Sequence, residues 1–353
     1  MKTKVVTYMC FLANSAMRNR VFNTAILMVF LLGPAYEPLH LVAGISAPVN
    51  VVDFGVKGDG VADDTAGLQA AIASACSGPL NLHIPAGKFL ISGTLSLCTG
   101  LHLWGDSSQS SLFIKTRPGP AFSINGAKYI VIEHINISGG TGGDASSHGI
   151  SMTTGSFSVF IRDVYVSGMA GNGIDLNHTI HVSISESKLT GNMGDGLSSQ
   201  IGGTLTVEHC YLNENLGNGM TVTSQNARYI GDVFESNSGY GAVLGGNGIF
   251  QGNYFEGNTL RALSVRGDDY LIAGNLIFGD MELAKGAYNI TVQSNHFGTP
   301  SPGSYNILID SGTHDVLVEL NLGTIFQEAG ARNVNVGGPG GSRSLLSPPP
   351  GKK

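Results

Sequence analysis

The sequence predicts an all-β protein, a single-stranded parallel β-helix with a short capping helix near its N-terminus. Three observations carry that expectation. A glycine that opens a short alternating strand recurs at near-constant spacing through the middle of the chain. A second apolar strand follows each of these in fixed phase. Glycine supplies 51 of the 353 residues, whereas charged residues make up only 12%, about half of the ~25% usual in soluble domains. The glycines follow no G-x-y period, which excludes collagen, and 42% hydrophobic residues can build a long core, which excludes a disordered chain. Nineteen basic against 25 acidic residues give a net charge of −6 without a basic cluster, so nucleic acid is not an expected partner.

Residues 1–47 read as an export signal or an N-terminal anchor. Lys2, Lys4, Arg18 and Arg20 precede the 13 uncharged residues Val21–Gly33, a stretch shorter than the ~20 residues a membrane-spanning helix needs. Small residues at Ala43, Gly44, Ser46 and Ala47 offer places for cleavage, so the remainder is expected to be secreted or extracytoplasmic. Export would permit a bridge between Cys76 and Cys98, although the sequence alone does not favour one. Cys210 lies in an apolar strand pattern and reads as a small buried residue.

The β-helix domain is expected over 48–336, with 48–105 as its opening and capping segment. There a strand and a loop precede DDTAGLQAAIASA, a helix capped by Asp64 or Thr65 that would cover the open apolar end of the stack. Asp59, Asp63 and Asp64 admit calcium in one loop, but capping and loop closure account for them more simply. No metal ligands are therefore assigned, and calcium is left as a possible cofactor.

Roughly ten turns follow between about Leu80 and Val336. Gly149, Gly173, Gly196, Gly219 and Gly241 are spaced by 24, 23, 23 and 22 residues, and Ala262 continues the series 21 later. From Ile161, Ile184 and Val207 in the second strands, the next glycine is 12 residues away each time. No unit can bury its apolar row alone; parallel stacking at about 4.8 Å per turn buries all of them together. Ile174, Leu197, Met220 and Ala242 are expected inside as one row. Asn and Gly at the bends suit left-handed corners. Gly337 to Lys353 reads as a disordered Gly/Pro/Ser tail.

The segment DFGVKGDGVADDT, the helix after it, and IPAGKFLISGTL together resemble the opening of the pectate-lyase-like superfamily, which includes polygalacturonases, rhamnogalacturonases and phage tailspikes. The resemblance implies a right-handed β-helix with a polysaccharide as substrate or ligand. Polygalacturonases carry N-T-D-G-I, D-D-C-I, G-H-G-I and R-I-K on successive turns. In the register of the glycine-led strands these fall on Ala170–Ile174, Gly194–Leu197, Gly217–Met220 and near Ala242–Leu244. Only Asp195 of the three acids remains, and the histidine and the cation are lost. An ordinary polygalacturonase mechanism is not expected.

The same register points to other polar groups. The row before each glycine reads His148, Asn172, Asp195, Asn218 and Tyr240; the outward row two residues after it reads Ser151, Asp175, Ser198, Thr221 and Val243; the next reads Thr153, Asn177, Gln200 and Thr223. Hydroxyls and amides of this kind suit sugar hydroxyls. Asp175 and Asp195, one turn and three residues apart and so about 11 Å from backbone to backbone, could close to the ~6.5–9.5 Å of an inverting acid–base pair. Asp195, Asp175 and His148 are the catalytic candidates, with His178 and His181 as further bases. Asn172, Asn177, His178, Ser198, Gln200, Asn218, Thr221 and Tyr240 are the substrate-binding candidates. Arg162, Lys188, Arg261 and Arg266 are scattered cations of the kind a β-elimination lyase needs, with calcium to hold the uronate. The expected function is that of an exported protein cleaving a uronate-containing polysaccharide, by elimination or atypical hydrolysis. The alternative is a noncatalytic carbohydrate-binding or surface-structural β-helix.

Overall fold

A computed structural model describes residues 47–299, 304–321 and 323–337. Apart from Ala47 and Gly337, the expected leader and tail lie outside these residues. Alternating apolar side chains form short strands, and the chain coils so that each strand pairs with its equivalent one turn later. One face is a sheet of eleven parallel strands, from Leu95–Ser96 to Ile325–Gln327, in strict sequence order. The stack therefore has about one turn more than the sequence suggested. Ile150, Ile174, Leu197, Met220, Ala242 and Leu263 pair in a single register, and all six are buried completely. The expected interior row is the observed one.

The other 22 strands form the remaining walls. Two long strands, Lys128–Gly139 and Phe157–Ser167, carry the chain around the corner between them. The corner is made by one left-handed residue per turn: His134, Asp163, Glu186 and His209 at φ 59°, 48°, 51° and 55°, then Gly231 and Gly252 at 71° and 69°. The residue after it turns inward. Asn253, Asn275 and Asn295 each accept the backbone N–H of the equivalent residue one turn earlier, at 2.8, 2.9 and 3.0 Å. A second ladder, of the buried Asn192, Asn215 and Asn237 and the half-buried Asn258, lines the next corner. Ladder hydrogen bonds are what the sequence implies for asparagines at the bends, but the left-handed backbone expected with them is not observed in these rungs. The ladder asparagines, like Asn172 and Asn218, do not adopt positive φ; they are present for their paired acceptor and donor.

At the N-terminal end, helix α1 (Thr65–Ser77) buries Leu68, Ala71, Ile72 and Ala75 over the first turns. Asp64 stands before it but does not cap it. Its carboxylate instead closes the preceding loop, accepting the N–H groups of Lys57 and Gly58 at 2.8 and 3.0 Å. Cys76 at the end of α1 is bridged to Cys98, with Cα atoms 6.0 Å apart. The sequence reading had not favoured that bond, because no local pattern shows two segments meeting in space. Cys210 is free and buried, as expected.

Candidate functional site

The outer face of the eleven-stranded sheet carries the polar strip that the register implies. Ser151 pairs with Asp175, Asp175 with Ser198, Ser198 with Thr221 and Thr221 with Val243. The row continues through Ser264 and Glu282. Its middle is sheltered: Ser198 and Val243 are 7% and 5% exposed, and Ser264 is fully buried. Asn177 pairs with Gln200 on one flank.

On the other flank the side chains lie flat along the stack. His148 Nδ1 accepts the N–H of Asn172 at 2.9 Å, Asn172 Oδ1 that of Asp195 at 2.9 Å, and Asp195 Oδ1 that of Asn218 at 2.7 Å. Asn218 Oδ1 accepts the N–H of Tyr240 at 2.7 Å. Each of the four thus spends one acceptor on the next turn's backbone. This closeness demands glycine alongside. A Cβ at Gly194 or Gly217 would collide with Asn172 Oδ1 or Asp195 Oδ1.

The remaining donors and acceptors of these groups are what this face offers to a ligand. With Nδ1 accepting, His148 carries its hydrogen on Nε2 and presents a donor. Asn172 Nδ2 donates to Asp175 Oδ1 at 2.9 Å and Asn218 Nδ2 to Thr221 Oγ1 at 2.9 Å. Asn172 is therefore the bridge between Asp175 and the backbone of Asp195. The Oδ2 atoms of both aspartates have no hydrogen bond among the described residues. His178 is exposed, left-handed at φ 53°, and bound to Asn177 Oδ1. His181 stacks on Phe157 at 5.1 Å, beyond the strip's edge.

The four cations divide. Arg162 pairs with Glu133 at 2.6 Å on another wall, and Lys188 lies between the rings of Tyr165 and Tyr211, 5.5 and 5.3 Å from their centroids. Arg261 and Arg266 do reach the strip. Arg261 follows Tyr240 in the flanking row and binds Asp280 and Glu282. Burial pushes the Asp280 carboxyl up although Arg261 opposes it; burial, with Glu328 and Glu282, also raises Asp310. The glycine register, carried to Ala262, already puts Arg261 one residue before that position and Arg266 four after it, which is the signal that places both arginines here.

The loop acids are accounted for by donors. Asp59 accepts from Val61 and Ala62, both at 2.8 Å, while Ser92 and Thr65 hydroxyls hold Asp63 well below the usual carboxylate range, at about 2. With Asp64 serving Lys57 and Gly58, the three carboxylates form no group that could hold a metal ion among the described residues.

Residues 48–291 match the profile of the family described as rhamnogalacturonase A/epimerase, pectate lyase-like. The chain belongs to this family. Relatives of this pectate-lyase-like chain include the mannuronan C5-epimerases of Azotobacter vinelandii. AlgE1 is 26% identical over 281 residues, covering 75% of this chain but only 17% of that protein. AlgE4 is 30% identical over 171 residues, covering 42% of this chain and 31% of that protein. The chain thus spans a minor part of these relatives' length. Solved structures share the fold. The AlgE4 A-module aligns with a TM-score of 0.58 at 19% identity, covering 85% of this chain and 98% of that one. The Streptococcus pneumoniae surface protein and adhesin PfbA aligns with a TM-score of 0.63 at 14% identity, covering 84% and 99%.

Proposed function

We propose that the protein is an exported enzyme acting at C5 of the sugar units in a uronate-containing polysaccharide that lies along the polar strip. The observation that carries this reading is the pair of carboxylates on adjacent turns, Asp175 and Asp195, joined through Asn172. Asp175, with Oδ2 uncommitted, is the base that takes the C5 proton, and the Asp195 carboxyl returns one from the other side, while the His148 Nε2–H donates a hydrogen bond to the substrate. Return of a proton to the opposite face of C5 inverts the centre. Loss of the chain linked at O4 instead leaves a 4,5-double bond and a new end. The mannuronan C5-epimerases among the relatives favour inversion over the cleavage expected from sequence. Export is supported by the leader-like residues 1–47 and by the Cys76–Cys98 bridge, which persists in oxidising compartments.

The test is incubation of the full chain with polymannuronate in D2O, reading C5 hydrogen by NMR, unsaturated product by absorbance and reducing ends by titration. Deuterium at C5 without new ends is the expected result. New ends without exchange would mean hydrolysis. A second reading, a noncatalytic glycan-binding β-helix, is favoured by the structural duty of His148, Asn172, Asp195 and Asn218 in the flanking row; binding with none of the three signals would establish it.

A further inference from the structure

Resting on that reading of the strip, we propose that Arg266 is a carboxylate clamp that selects a uronate unit several sugars away from Asp175. The argument begins with charge. Asp175, Asp195, Asp280 and Glu282 all belong to the strip, so an acidic polymer would be repelled unless a cation stood on its track. Of the two cations in the strip's rows, Arg261 is already neutralised by Asp280 and Glu282. Arg266 has no carboxylate partner among the described residues and is exposed.

Its guanidinium is nevertheless fixed. Nε donates to Ser264 Oγ at 3.2 Å, and that hydroxyl in turn donates to Glu282 Oε1 at 2.6 Å. The guanidinium lies over the ring of Tyr240, 5.6 Å from its centroid. With Nε so engaged, the two terminal nitrogens form a planar fork that has no partner among the described residues. That fork matches the two oxygens of a carboxylate, which is what a uronate offers and a neutral sugar lacks. The strands of Asp175 and Arg266 are separated by three others, so four turns, or about 19 Å, divide the two groups. Arg266 therefore acts on binding and on the choice of polymer, remote from the reacting carbon.

Calorimetric titration of the full chain tests this with three ligands: a mannuronate oligomer, the same oligomer with its carboxyls reduced, and a sulfated neutral glycan. Arg266→Gln should weaken binding of the mannuronate oligomer by about tenfold to a hundredfold, the scale of charge-assisted hydrogen bonds, and leave the reduced oligomer unaffected. Arg266→Lys, which keeps the charge and loses the fork, should fall between. Equal affinity of parent and Arg266→Gln for mannuronate would overturn the clamp while leaving uronate binding intact. Parent affinity for the reduced oligomer equal to that for mannuronate would overturn it and leave only general glycan binding. Tighter binding of the sulfated glycan would overturn the assignment to a carboxylate. No binding of any of the three would overturn the clamp together with the functional reading beneath it.

Discussion

Asp195 has one duty in the ladder and a second under the proposed function, and a substitution can separate them. Asparagine in its place keeps the acceptor for the Asn218 N–H but removes the carboxyl that can carry and release a proton. Asp195→Asn and Asp175→Asn should each lower turnover by about 10²–10⁴-fold, the range of general acid–base catalysis, with thermal stability almost unchanged; steady-state rates and a melting curve check both halves. Asp195→Ala should in addition melt earlier, because it orphans that N–H. A different aspartate tests the ladders. Asp232 is fully buried where Asn253, Asn275 and Asn295 stand in later turns. Its Oδ1 accepts the Cys210 N–H at 2.8 Å, but Oδ2 has no partner. Burial pushes its carboxyl well above the usual range. A folded-state value above the unfolded one means that stability falls as pH rises past the unfolded value of ~4, because only the unfolded chain then releases the proton readily. Asp232→Asn should therefore stabilise the protein at neutral pH by about 1–3 kcal/mol, the cost of an unsatisfied buried polar group. The gain should shrink toward pH 4 in denaturant titrations.

Strands and corners differ in how far the chain's letters reveal them. The alternation of Ile174-Asp175-Leu176 and the 12-residue step from Ile161 to Gly173 are local signals, and together they imply the stack. The corner is less legible, since the left-handed position is filled by His134, Asp163, Glu186 and Gly231 in turn, residues with no shared chemistry. The Cys76–Cys98 contact depends on how α1 lies against the first turns, which no spacing encodes. At the candidate site, sequence register was enough to align Asp175 with Ser198. It could not show that Asn172 binds both aspartates, because that depends on where two side-chain atoms point. Glycines beside the flanking row make this geometry testable. Gly217→Ala should displace the Asp195 carboxylate from its rung and cost about 1–3 kcal/mol through overpacking. Its catalytic rate should also drop, whereas Gly191→Ala, where nothing lies within 4 Å of an added Cβ, should perturb only its own left-handed corner and leave the rate alone.

Over the whole molecule, each turn touches only its neighbours, so stability is a sum of rungs and is weakest at the ends. The Cys76–Cys98 bond closes a span of 22 residues around the helical cap, and reducing it should cost about 3 kcal/mol. Hydrogen exchange should then quicken first in α1 and the strands nearest it, before the polar strip. The one-to-one register has an editorial consequence. A turn behaves like a removable paragraph, because the text on either side of it ends and begins the same way. Excision of residues 195–217 would join Gly194 directly to Asn218, a loss of 23 residues that matches the rung spacing between Asp195 and Asn218. Asn172 would then meet the Asn218 N–H, and Ile174 would sit beneath Met220 as it now sits beneath Leu197. The shortened chain should fold cooperatively, with the circular-dichroism spectrum of the parent and no Asp195. A length-preserving scramble of the same 23 residues should not fold.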